Sequence, residues 1–121
     1  NTRKYYEKFS NLILLDPIYN SQEINLLRSN CNIYIHGHSA GGTNPSLVEA
    51  MFFARPILAF DVVYNRETTE NCADYFSSID TLVTLLNKTP VTYERNGKKM
   101  LEIAKQRYIW KSIVDRYVKL F

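Results

Sequence analysis

The chain has 121 residues, 45% of them hydrophobic and 22% charged, the balance of a folded domain rather than a disordered segment. No apolar run approaches the roughly 20 residues of a membrane-spanning helix, and Cys31 and Cys72 are too few for a disulfide framework, so a reducing, cytoplasmic setting is expected. The net charge of +3 is uneven: residues 91–121 hold eight Lys/Arg against three Asp/Glu (+5), and residues 1–90 hold seven against nine (−2).

Apolar runs of strand length alternate with amphipathic stretches of helix length. Residues 12–15, Leu-Ile-Leu-Leu, read as a buried strand stopped by Asp16-Pro17. Ser21 then reads as the N-cap of a helix to about Asn30, with Ile24, Leu27 and Cys31 on one face. Residues 32–36 form a second expected strand. A polar turn follows, from Gly37 to Asn44, and Asn44 caps a helix that starts on Pro45 and runs to about Ala54. Residues 56–60 read as a third strand ended by Asp61. A short polar helix is expected from Arg66, with Asn65 as its cap, then a fourth strand at 74–76. Ser78 or Asp80 opens a further helix ending before Pro90. In the tail, Trp110, Ile113, Val114, Tyr117, Val118 and Phe121 follow the spacing of one helical face.

This order predicts an α/β fold: a Rossmann-like parallel sheet with helices on both faces. Such sheets bind ligands at the carboxyl ends of their strands, which places the turn at 37–44 and the loop at 61–67 on one edge.

The turn itself supports two chemistries. Gly37-His38-Ser39-Ala40-Gly41 matches G-x-S-x-G, the nucleophile turn of α/β-hydrolases, with Ser39 as nucleophile. That fold needs a helix almost directly after the serine, whereas Pro45 marks a later start. It also needs a histidine downstream, and both His36 and His38 lie upstream. In the second chemistry, Gly41-Gly42-Thr43-Asn44-Pro45-Ser46 presents backbone N–H groups to an anion or to sugar hydroxyls. Glu49, one turn further on, offers a carboxylate to a ribose. His36 and His38 have H-x-H spacing on one strand face, but no third residue presents itself as a metal ligand.

Residues 34–76 carry His38-Ser39, Gly41-Gly42-Thr43-Asn44-Pro45-Ser46 and Glu49-Ala50-Met51. Pro56-Ile57, Ala59, Asp61 and Asn65-Arg66-Glu67 follow. This segment resembles the donor-binding half of retaining GT-B glycosyltransferases of the lipopolysaccharide and capsule type, most of all the rhamnosyltransferase-like polysaccharide enzymes. The likeness extends more loosely to both ends of the chain. It implies a nucleoside diphosphate sugar as donor substrate, with no metal or other cofactor. Glu49 matches the second glutamate of the E-x7-E motif and would bind the ribose. Backbone amides around Gly42, Thr43 and Asn44 would hold sugar hydroxyls and the diphosphate. His38, Ser39, Gly41, Asn65 and Arg66 complete the expected donor-binding set. The first glutamate of the motif falls on Gly41, a departure that the rhamnosyltransferase-like subgroup shares.

The opening on Asn1 without Met adds the expectation that residues 1–121 are one nucleotide-sugar-binding domain of a larger enzyme, inactive alone. Residues 91–121 would then be a helical tail crossing to an N-terminal domain. A cytoplasmic protein is expected, with peripheral contact to the inner membrane face or self-association through the tail helix, and no nucleic-acid partner. A non-catalytic nucleotide- or sugar-binding module is the alternative that uses the same turn.

Overall fold

Three short runs form the sheet in the computed structural model, which describes residues 2–88 and 90–120. They are β1 (Tyr34–His36), β2 (Ile57–Phe60) and β3 (Asp74–Phe76), in the order β1-β2-β3. All pairings are parallel, with His36 beside Ala59 and Phe60 beside Phe76. Among the described residues the helices are α1 (Thr2–Tyr6), α2 (Ser21–Asn30), α3 (Pro45–Met51), α4 (Val63–Thr68), α5 (Ile79–Leu86), α6 (Pro90–Arg107) and α7 (Trp110–Val118). The parallel α/β class is therefore as the sequence pattern requires, and at this coarse level the arrangement is consistent with a Rossmann-like one. The described residues contain no helix long and apolar enough to cross a membrane.

The core lies on one face of the sheet. Leu47, Ala50 and Met51 of α3 meet Ile57 and Ala59 of β2, and Met100, Ile103 and Ala104 of α6 close the cluster. Strand alternation sends Leu58 and Phe60 to the other face, where α5 packs beside β3 and Phe60 meets Phe76 edge to face at 5.7 Å. Each fully buried aliphatic side chain contributes about 1.5–3 kcal/mol, so the α3–β2–α6 contact is the main stabilising element.

One polar residue fits α6 to the sheet. The buried Asn96 accepts a hydrogen bond from the Ile57 N–H at 3.0 Å and donates through Nδ2 to the Ile57 carbonyl (2.9 Å) and to Asp74 Oδ2 (3.0 Å). Lys88 Nζ completes the junction, 2.7 Å from Asp74 Oδ1. Next to it, Gly97 lets the α6 backbone touch the connection between α3 and β2. A Cβ there would stand 2.2 Å from the Ala54 carbonyl oxygen.

Several expectations need correction. The run at 12–15 is not a strand: it pairs with nothing in the sheet, and Ile13 is 85% exposed. Local contacts hold it instead, because Arg3 donates to the Leu14 carbonyl and pairs with Asp16 at 2.9 Å. An apolar run states a preference for extended backbone, but a strand also needs a neighbour with free donors and acceptors. The helix at 21–30 is capped by Asn20 rather than Ser21. Asn20 is extended, and its Oδ1 accepts from the Gln22 and Glu23 N–H groups, whereas Ser21 is already the first helical residue. The helix expected from Arg66 starts at Val63 and places Asn65 inside it, not at its cap. Ser78, rather than Asp80, caps α5 in a reciprocal pair with Thr81. The tail, whose pattern allows one or two helices, forms α6 and α7 and needs no correction. Phe121, assigned by spacing to the α7 stripe, lies outside the described residues.

Candidate functional site

The turn at 37–44 leaves the carboxyl end of β1 and enters α3, and Asp61 ends β2 beside it. Both loops therefore share one sheet edge, as the strand order predicted. The chain reverses at Gly41, whose φ of 86° lies in the region that glycine tolerates and side chains resist. Gly37, Gly41 and Gly42 all face open space, since a Cβ at any of them would meet nothing within 4 Å.

Hydrogen bonding divides the turn from the helix it feeds. Asn44 caps α3: its Oδ1 accepts from the Ser46 N–H at 2.9 Å, and its carbonyl accepts from the Leu47 and Val48 N–H groups. Pro45 has no N–H to offer. The first donors of α3 are thus already satisfied, and the Asn44 side chain serves the helix. By contrast, the backbone N–H groups of Gly41, Gly42, Thr43 and Asn44 donate to no protein acceptor among the described residues. The open donors belong to the turn, one step before the place where helix logic alone would put them.

Asn65 fixes this turn. It is 3% exposed, and its Nδ2 donates to the His38 carbonyl at 3.0 Å and to the Phe60 carbonyl at 2.9 Å. One amide thus ties the loop after β1 to the end of β2. Both Nδ2 protons are used in this way, so Asn65 acts on the site by holding it in shape. Arg66 is similarly occupied. Its guanidinium forms a two-toothed pair with Asp61 at 2.5 and 2.9 Å and lies 4.2 Å from the centre of the Tyr75 ring. The hydrogen bond from Arg66 holds the Asp61 carboxyl below its usual range, and the nearby positive charge acts in the same direction. The sequence grouped Asn65 and Arg66 with the ligand-contacting residues; the structure gives each a framework partner.

Glu49 stands in the second turn of α3, with its side chain 59% exposed. Arg28 Nη1 of α2 donates to Glu49 Oε2 at 2.6 Å, and Oε1 has no partner among the described residues. Arg28 was not singled out by sequence reasoning. Its separation from Glu49 by 21 residues left no local pattern to find. Ser39 is exposed and its hydroxyl bonds to neither histidine nor to any other described residue. The helix begins six residues after it, at Pro45, so the strand–serine–helix geometry of a hydrolase nucleophile is not formed. No group of three or more metal-ligating side chains occurs among the described residues.

His36, the last residue of β1, is 5% exposed, and its Nε2 is buried without a hydrogen-bond partner among the described residues. Its ring lies 6.2 Å from that of Tyr34 and 6.0 Å from that of His38. Burial pushes the His36 pKa below its ordinary value, and the neighbouring His38 lowers it further. In the unfolded chain the group titrates near pH 6.5. The unfolded state therefore binds a proton first as pH falls, and stability is lost from about pH 6.5 downward until the lower folded-state value is passed. The urea midpoint should fall between pH 7.5 and pH 5.5, and His36→Gln should flatten that slope. Equal slopes in both proteins would assign the pH dependence elsewhere.

Two clefts of about 630 and 690 Å³ lie away from this edge. One is bounded by Asn32, Arg55, Lys88 and Tyr93 and the other by Leu15, Ile18 and α2. Residues 37–43 are exposed, and a Cβ at Gly37, Gly41 or Gly42 would meet nothing within 4 Å, so the turn is an open wall rather than an enclosed pocket. No protein-family model, curated protein or solved structure matches this chain.

Proposed function

We propose that this chain is the donor-binding part of a retaining GT-B glycosyltransferase. It would hold a nucleoside diphosphate sugar, a deoxyhexose such as rhamnose being the preferred donor, for transfer to a cell-surface polysaccharide or lipid-linked acceptor. The observation that carries the reading is the row of four unpartnered backbone N–H groups at Gly41, Gly42, Thr43 and Asn44, on the carboxyl edge of a parallel sheet. Successive backbone donors in a turn make a concave anion site that suits a diphosphate and sugar hydroxyls. Such donors also stabilise charge that builds up on a leaving diphosphate.

Glu49 supplies the second element. With Oε2 held by Arg28 and Oε1 open, its carboxylate is oriented and can still accept from a ribose hydroxyl. Gly41 and Gly42 leave room for the ligand to approach the backbone. Ser39 and Thr43 add exposed hydroxyls beside the amides, and His38 adds an exposed imidazole. The remaining contacts to donor and acceptor would come from a second domain facing this open wall.

Calorimetry with a panel of nucleoside diphosphates and their sugars tests the proposal. Binding to at least one is expected, weakened about tenfold or more by Glu49→Ala, the equivalent of one charge-assisted hydrogen bond. No transfer to an acceptor is expected from the 121 residues alone. Absence of binding to every member of the panel, with Glu49→Ala indistinguishable from the parent, would remove the donor-binding reading. Turnover by the isolated chain would overturn the claim that the site is only one wall.

A further inference from the structure

A cleft of about 630 Å³ opens at the amino end of the sheet, opposite the edge that carries the 37–44 turn. Ile33, Ala54 and Pro56, on the chain entering β1 and β2, form one apolar wall, and Pro90 and Tyr93 at the start of α6 form the other. Its size lies within the range of about 300–1,000 Å³ common to small-molecule sites. The two walls are fixed to each other one turn further along α6. Gly97 lies against the Ala54 carbonyl, and Asn96 bonds both the N–H and the carbonyl of Ile57, at 3.0 and 2.9 Å. A ligand therefore meets a formed cleft and loses little of its binding free energy to shaping it.

The charged groups around the cleft are already engaged, with one exception. Lys88 pairs with Asp74 at 2.7 Å and Lys98 with Glu94 at 3.5 Å. Tyr93 donates its hydroxyl to the Leu85 carbonyl, which leaves its ring as the part it can offer a ligand. Arg55 is the exception. Its Nε donates to the Ser29 carbonyl at 2.9 Å, but Nη1 and Nη2 have no partner, and no carboxylate meets its charge, among the described residues. We infer that the cleft binds a small aromatic carboxylate, with its ring against the apolar walls and its carboxylate on Arg55. The bond to Ser29 holds the guanidinium by one atom, and the Nη1–Nη2 edge can still take both oxygens of a carboxylate. Charge selects a monoanion. A neutral ligand would leave Arg55 unmatched, and a multiply charged one would meet Glu94 with only one open cation to offset it. The second cleft, of about 690 Å³, is lined by Glu23 and by no basic residue, so it lacks this anchor. The inference is independent of donor binding at the 37–44 turn.

The probes are 2-naphthoate and its neutral counterpart 2-naphthalenemethanol, each titrated into the full chain labelled with nitrogen-15. Naphthoate should move the amide signals of Ile33, Ala54, Arg55 and Tyr93 and saturate with a dissociation constant on the order of 1 mM, that of a fragment-sized ligand. The alcohol should bind about tenfold more weakly, because it forgoes the charge-assisted hydrogen bonds. Arg55→Gln should bring naphthoate down to the level of the alcohol. Four results would overturn the inference: no saturable movement of these four signals, equal affinity of the parent for both probes, unchanged naphthoate affinity in Arg55→Gln, or the largest shifts at the exposed Trp110 instead of the cleft. The comparison of the two probes on the parent chain decides the matter even where Arg55→Gln disturbs the fold.

Discussion

Gly97→Ala should destabilise the protein by about 3 kcal/mol, the upper part of the range for forcing an extra methyl into a packed site. A fall in the thermal midpoint on the order of 10 °C is the expected reading for a domain of this size. The sign is what makes the test informative. Helix propensity alone predicts the opposite, since alanine is about 1 kcal/mol better than glycine inside a helix. Here the added Cβ would stand 2.2 Å from the Ala54 carbonyl oxygen and 2.9 Å from its carbon. The obstacle is backbone, and that backbone is already constrained, because Ala54 sits at a φ of 56°. It cannot yield as a side chain would. Neighbouring Asn96 clamps the Ile57 peptide from the same helical turn, so withdrawing α6 to make room would also break the hydrogen bonds between Asn96 and Ile57. Urea and thermal denaturation of the two proteins measure the difference. A variant as stable as the parent, or more stable, would show that α6 does not touch the 54–55 peptide in solution.

Asn65→Leu should act on both stability and binding. It removes the hydrogen bonds to the His38 and Phe60 carbonyls at 3.0 and 2.9 Å. The Phe60 carbonyl still receives the Val62 N–H, whereas the His38 carbonyl loses its partner. A loss of about 1–3 kcal/mol follows from the unpaired carbonyl and the deleted bonds. The larger consequence is for the turn. Asn65 ties His38, at the start of the turn, to the end of β2, and the proposed anion site at 41–44 depends on the turn keeping that shape. Affinity for the best nucleoside diphosphate found by calorimetry should drop at least tenfold, measured at a temperature where the variant is fully folded. Asn65→Asp, which keeps the shape but turns the donor into an acceptor facing two carbonyls, should behave like the leucine variant. Retention of full affinity by both, with amide spectra unchanged at Gly37, Gly41 and Gly42, would show that the turn holds its shape without Asn65.

Much of the fold was legible locally. The β1, β2 and β3 runs, the Asn44-Pro45 start of α3 and the Ser78 start of α5 are marked by residues whose backbone preferences act within a few positions. The failures have a common cause. The run at 12–15 has a strand's composition, but no described strand pairs with it. Asn65 has the composition of a helix cap but lies within α4, because its amide is drawn to carbonyls 5 and 27 residues away. Arg28 became visible as a partner of Glu49 only once α2 and α3 were side by side.

The sequence by itself determined the alternation of elements, the parallel class and the place of the glycine turn at a strand's carboxyl end, because periodicity, capping and glycine freedom are properties of neighbouring residues. Tertiary structure decided which donors of that turn stay open, which polar residues are spent on the framework, and which apolar side chains, Trp110 of α7 among them, stay exposed. Those outcomes depend on partners distant in the chain, and a hydrogen-bonding group or a hydrophobic face acquires its role only when packing either meets its need or leaves it unmet.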